Sequence, residues 1–181
     1  HLGLGVPIAG IDCSWHDSVE RYREVVSFLK EEPNAVGALV TTHKIDILAA
    51  ARDMFDGLGT YAELLGEISC ISKRNGALWG HAKDPITSGL AVEAFLPIGH
   101  WQGGGALCLL GAGGSSLAMT MYCMEQPDGN RPERLVVTNR SKTRLESMKE
   151  IHQKMDSGIP VTYHLCPTPQ DNDEVGRPLP S

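Results

Sequence analysis

The stretch ALCLLGAGGSSLAMTMYCM, residues 106 to 124, restricts the fold more than any other part of the chain. A continuous apolar run enters a glycine-rich turn and leaves it at helical spacing, the pattern of a buried strand handing over to a helix. The order then repeats: RLVVTNRS (134–141) reads as a buried strand, KTRLESMKEIHQKM (142–155) as a helix and PVTYHL (160–165) as a third strand. Upstream, SVERYREVVSFLKEE (18–32) sets Val19, Tyr22, Val25, Val26 and Leu29 at helical spacing, with Pro33 as a stop. VGALVTT (36–42) follows as a strand and KIDILAAARDMFD (44–56) as a helix, while GLGVPIAGIDC (3–13) alternates as a strand would. EISCISKRNGALWGHAKD (67–84) reads as two strands around an Asn75-Gly76 turn, a pair that readily supplies positive φ. TSGLAVEAFL (87–96) is a predicted helix, and residues 97–105 form a glycine-rich connection. Such alternation predicts an α/β chain with crossovers packed on parallel strands, in two units joined near residues 97–105.

The chain has 181 residues, 41% of them hydrophobic, enough for a buried core in one ordinary domain or two small ones. Its formal charge of -6 argues against a nucleic-acid or anionic-membrane partner, since no surplus of Lys and Arg is on offer to phosphates. No apolar run approaches the roughly 20 residues that span a bilayer, and no basic flank with an apolar core opens the chain, so the expected compartment is the cytoplasm. The five cysteines form no CxxC pair, which supports neither a zinc site nor a disulfide framework. No histidine spacing suggests a metal. The chain starts at His1 and closes on DEVGRPLPS, which reads as a loop between elements, so a fragment of a longer protein is expected.

Gly111, Ala112, Gly113, Gly114 and Ser115 form the turn itself. Glycines at such a place let backbone N–H groups approach a pyrophosphate, and the helix start adds about half a positive charge. Taken alone, G-x-G-G fits a tight turn without a ligand about as well as a phosphate cradle. The next strand, however, ends in Asn139-Arg140-Ser141, with Lys142 and Arg144 beyond, where an NAD-binding unit would place an acidic residue. A carboxylate there would repel a 2′-phosphate, whereas a guanidinium grips one, so the pattern favours NADP over NAD.

Two charged residues stand at predicted strand ends in the first half, Lys44 and Asp84. An amine beside a carboxylate at the carboxyl ends of strands faces the crevice where α/β proteins bind ligands, and partial burial would bring the amine toward a working pKa. Spacing alone fits two ordinary surface charges better, since Lys and Asp are mostly exposed.

Five segments, in order, resemble the shikimate dehydrogenase family. VTTHK is similar to N-V-T-x-P-H-K, LGEISCI to I-G-A-V-N-T-L, GHAKD to G-x-N-T-D, LLGAGGSSLA to L-G-A-G-G-A-x-x-A, and VTNRSKTRLESM to N-R-T-x-x-R-A. The resemblance covers about residues 1 to 165 and implies an N-terminal α/β substrate domain (1–98) followed by a Rossmann-like NADP domain (103–181), both incomplete. It implies an NADP-dependent dehydrogenase that interconverts a cyclic hydroxy acid, such as shikimate or quinate, and its ketone, in aromatic amino acid biosynthesis, as a monomer or homodimer. Carried over, Lys44 is the general acid/base, Asp84 orients it and contacts substrate hydroxyls, and Thr41, Thr42 and Ser69 face the substrate. Gly111, Ala112, Gly113, Gly114, Ser115, Asn139, Arg140, Ser141 and Arg144 hold the cofactor.

The departures bear on the substrate. Where the family pattern has Asn before V-T, Pro before H-K, N-T in the second motif and N-T before Asp, this chain has Ala38, Thr42, Ser69-Cys70 and Ala82-Lys83. Losing several partners of polyol hydroxyls, at about 1–3 kcal/mol for each group left unpaired, alters or abolishes shikimate recognition while sparing the Lys-Asp pair. The family's S-x-S segment for the substrate carboxylate would precede His1, and its N-A-T segment near the nicotinamide would follow Ser181. The alternative reading is a non-catalytic ligand-binding or regulatory module on the same fold; a methylene-tetrahydrofolate dehydrogenase-like enzyme fits the Lys44 and Asp84 contexts less well. His43, beside Lys44, reads as structural more readily than as a ligand contact.

Overall fold

A computed structural model describes residues 5–177. The chain divides after Ala82 into two compact units.

The first unit opens without regular structure: described residues up to Ser18 form neither helix nor strand, against the expected strand at 3–13, whose first two residues lie outside the described range. Alternation makes a strand only where a neighbour supplies the hydrogen-bond ladder, and here Val6, Ile8 and Ile11 are exposed instead. Helix α1 (Val19–Glu31) starts on Ser18, whose hydroxyl accepts from the Arg21 N–H, and buries Tyr22, Val26 and Leu29. Strand β1 (Gly37–Leu39) leads to α2 (Lys44–Ala51), shorter than the predicted helix because Arg52–Met54 tightens into a 3-10 turn. Two elements not anticipated follow, β2 (Gly57–Leu58) and α3 (Thr60–Leu65), and then the predicted hairpin of β3 (Cys70–Arg74) and β4 (Ala77–His81). Asn75 and Gly76 both take positive φ, 52° and 79°, so the turn has the twist that two-residue hairpins prefer.

That hairpin overturns the expectation of a parallel layer in this unit. The sheet order is β1-β3-β4-β2, with β1/β3 and β3/β4 antiparallel and β2/β4 parallel. A two-residue connection can join only antiparallel strands, and β1 joins the sheet on β3. Ile47, Leu48, Ala51, Phe55, Ile68, Ile71 and Leu78 close the core against α1.

The second unit follows the predicted pattern closely. Helix α4 (Asp84–Glu93) begins three residues earlier than expected, with Pro85 in its first turn where a missing N–H costs nothing. Strands β5 (Ala106–Leu110), β6 (Arg134–Asn139) and β7 (Val161–Leu165) alternate with α5 (Gly114–Glu125) and α6 (Lys142–Met155). They form a parallel sheet in the order β5-β6-β7. Helices α4 and α5 pack closely: a Cβ added at Gly89 would lie 2.2 Å from the Tyr122 ring, so only glycine lets the ring seat there. Helix α7 (Pro169–Gly176) occupies part of the expected terminal loop, since Thr168 and Asp171 form a reciprocal capping box. No helix among the described residues is long and apolar enough to cross a membrane.

Candidate functional site

In the first unit the residues singled out by sequence collect where β1 gives way to α2. The Val40 N–H donates to the Ser69 carbonyl at 2.9 Å, and the Ser69 N–H donates to the His81 carbonyl at 2.8 Å, so the segment before β3 is laced between the end of β1 and β4. Thr41 and Thr42 lie just beyond and are exposed, whereas Ser69 is buried, 4% exposed. Lys44 is the first residue of α2, half-buried, and its carbonyl accepts from the Ile68 N–H at 3.1 Å. The lysine is therefore fastened through its backbone to the neighbouring segment.

The residue before it is fastened through its ring. Tyr22, 2% exposed, rises from α1 so that its hydroxyl meets His43 Nδ1 at 3.0 Å and the Asp17 N–H at 3.0 Å. Burial pushes the Tyr22 phenol above its usual pKa. Asp17 in turn accepts from the Ser14 and Ser18 N–H groups, both at 2.8 Å, which hold its carboxyl below the usual range. Nothing in the sequence points to this arrangement: Tyr22 occupies an apolar position of a helix and reads there as core.

Asp84 is the first residue of α4, in the second unit, and is half-buried; Lys83 before it is exposed. The Thr87 hydroxyl lies 3.2 Å from the Lys83 carbonyl and 3.3 Å from that of Asp84, tightening the first turn. Ala82, where the family pattern has a polar residue, is core, 2% exposed.

The glycine turn follows β5. Leu110 of β5 pairs with Thr138 of β6 in parallel register, so Gly111 and Asn139 emerge side by side at the carboxyl ends of their strands. Gly111 has φ +135°, a conformation that L residues rarely adopt. Gly113 stands at the N-cap of α5 with no side-chain cap, and Cβ atoms added at Gly111, Gly113 or Gly114 would meet nothing within 4 Å. The first N–H groups of a helix have no intrahelical partner, so this start offers uncapped donors and the positive end of the helix dipole to open space. Ala112 is buried and Ser115 exposed. Beside the turn, Asn139 Oδ1 accepts from the Ser141 N–H at 3.3 Å, and Ser141 Oγ accepts from the Arg144 N–H at 3.4 Å, so both polar side chains shape the start of α6. Arg140 and Arg144 are exposed. The donor set, backbone N–H groups with adjacent guanidinium side chains, suits a phosphorylated dinucleotide.

Behind the turn, a buried polar network holds α5 to the unit. The Thr120 hydroxyl donates to the Leu117 carbonyl at 2.9 Å and so accepts from His152 Nε2 at 2.8 Å, leaving His152 Nδ1 to accept from the Tyr163 hydroxyl at 2.7 Å. Burial pushes His152 down to about 4 and Tyr163 up to about 12, which keeps both neutral. Among the described residues no group of three His, Cys, Asp or Glu side chains could hold a metal ion.

No protein-family model matches the sequence, and no curated protein is matched. Solved structures are. Ligand-free 5-ketofructose reductase of Gluconobacter sp. strain CHM43 superposes with a TM-score of 0.62 at 20% identity, over 82% of this chain and 49% of that one. A shikimate dehydrogenase in complex with NADP+ gives 0.62 at 26% identity, over 80% and 47%. Quinate dehydrogenase from Corynebacterium glutamicum in complex with NAD gives 0.60 at 18% identity, over 78% and 46%. The chain has the α/β fold of the shikimate and quinate dehydrogenases, and it spans about half the length of the solved structures it matches.

Proposed function

We propose that this chain is part of an NADP-dependent oxidoreductase that interconverts a cyclic hydroxy acid, shikimate or a related acid such as quinate, and its ketone. The observation that carries the reading is the open, uncapped start of α5 at Gly111–Gly114, in register with the strand end that bears Arg140. In this reading residues 1–98 form the substrate domain and residues 103–181 the cofactor domain. The N–H groups around Gly113, Gly114 and Ser115 receive the pyrophosphate, and Arg140 with Arg144 receives the 2′-phosphate. Asn139 and Ser141 shape that edge, and Ala112 packs beneath it. The nicotinamide, when bound, accepts or donates the hydride.

The chain's own task is the proton. Removing hydride from a secondary alcohol requires that its hydroxyl proton leave, and in the reverse direction the developing alkoxide takes one up; Lys44 serves both as neutral base and as ammonium acid. By its motif, Asp84 carries the carboxylate of the proposed Lys-Asp pair, and Thr41 and Thr42 are further polar contacts for substrate. Ser69, buried between the end of β1 and β4, belongs to the same set by its motif. Support for the reaction class comes from the fold and from the Lys44, Asp84 and glycine-turn positions in their motifs.

A panel of shikimate, quinate and related ring acids, each with NADP and with NAD, followed at the absorbance of reduced nicotinamide, tests the proposal. Reduction with NADP on at least one acid is expected. Binding of an acid without reduction of either cofactor supports instead the non-catalytic ligand-binding module, a reading favoured by the apolar burial of Ala82 where a polar residue is expected.

A further inference from the structure

We propose that His43 is a substrate-recognition residue, presenting Nε2–H as a fixed hydrogen-bond donor beside Lys44, with its tautomer set by Tyr22. The inference rests on the reading that Lys44 faces the bound acid. Tyr22 is almost wholly buried, and its hydroxyl has two neighbours at hydrogen-bond distance. One is a backbone N–H, that of Asp17, which can only donate. A phenolic oxygen has one proton of its own, and with the Asp17 N–H filling an acceptor position that proton is directed to His43 Nδ1. A neutral imidazole that accepts at Nδ1 has its own proton on Nε2.

Nε2 has no hydrogen-bond partner among the described residues, and it is not one of the buried polar atoms left unpaired, so it reaches solvent. The ring is half-buried and belongs to the residue immediately before Lys44, at the N-cap of α2, where its side chain makes no capping bond. His43 neither caps the helix nor closes its second nitrogen on a described residue, and its orientation is held from behind by a tyrosine from another helix. Its chemistry fits an oxygen acceptor, such as a carboxylate, hydroxyl or ketone oxygen of the ring acid.

The test is nitrogen-detected NMR of the imidazoles in the intact chain, with the His43 signals assigned through His43→Gln. Wild type is expected to show the Nε2–H tautomer at His43, and Tyr22→Phe a mixture of tautomers. Titration with shikimate and with quinate, each in the presence of NADP, is expected to shift the His43 Nε2 resonance together with the Lys44 side-chain resonances. His43→Ala is expected to weaken the responsive acid by about three- to tenfold with NADP affinity unchanged, and His43→Gln, which keeps a donor, to recover part of that loss. An Nδ1–H tautomer in wild type, or an acid that shifts Lys44 and leaves His43 untouched, overturns the proposal while the oxidoreductase reading stands. If neither acid shifts Lys44 or His43, the cyclic-acid reading fails and the proposal fails with it.

Discussion

Helices α2 and α5 both start just beyond a strand, and their first turns are built in opposite ways. The start of α2 is fastened: Tyr22 holds the His43 ring, and the Lys44 carbonyl takes the Ile68 N–H. The start of α5 is bare: Gly113 gives no cap, three glycines leave open space, and the buried polar anchor, Thr120, lies further along the helix. The difference matches the parts proposed for the two ends. A side chain that moves a proton has to be held in place before substrate arrives, since misplacement costs rate steeply. A phosphate cradle works through backbone N–H groups whose geometry the helix already fixes, and any side chain there would occupy the ligand's place.

Three substitutions or conditions probe this contrast, in descending order of effect. Lys44→Ala removes the group that the fastened start carries: turnover on the responsive acid is expected to fall by about 10²- to 10⁴-fold, with NADP binding by fluorescence titration unchanged. An unchanged rate would leave α2 a merely structural helix and end the contrast. Acidification attacks the rear anchor of α5. His152 is held down to about 4 by burial, below its ordinary value near 6.5. The unfolded chain therefore binds the extra proton across that window and the folded chain does not, so stability is complete above about pH 6.5 and is lost as pH falls toward 4. The loss is about 3 kcal/mol, read as the difference in urea unfolding between wild type and His152→Gln from pH 7 to 4. Superimposable profiles for the two proteins would show that this network does not anchor α5.

The smallest expected change, Gly113→Asp, is the most specific to the contrast. Gly113 has the extended conformation of an N-cap, φ -91° and ψ -179°, with space for a side chain. A carboxylate there caps α5 and complements its dipole, so the protein should gain about 0.5–1 kcal/mol in urea unfolding. NADP affinity should fall at the same time, because the new charge sits where a phosphate is proposed to bind. A gain in both would show that the bare start is not a cradle.

The two starts also differ in how far the sequence alone discloses them. The glycine turn and the strands and helices on either side of it are each announced by a pattern contained within a few residues, and the structure follows those patterns nearly residue by residue. Lys44 is likewise legible as a charge at a strand's end. What holds it is not, because Tyr22 and His43 are 21 residues apart and a tyrosine at an apolar helix position carries no mark of its hydroxyl's partner. His152 was unreadable for the same reason, its partners Thr120 and Tyr163 lying on separate elements. The strand expected before Ser18 failed differently: alternation is a property of a segment, whereas a strand needs a neighbour, and no local pattern reports one.

The fit of Gly89 against the Tyr122 ring has a further consequence. Helix α4 starts at Asp84 and α5 starts at the glycine turn, so this contact works as a gauge between two helix starts that do not touch it. Any bulk added at Gly89, or trimmed from Tyr122, resets the spacing of the two. A substitution at either position therefore shifts the Asp84 end of α4 against the glycine turn without altering a residue of either segment.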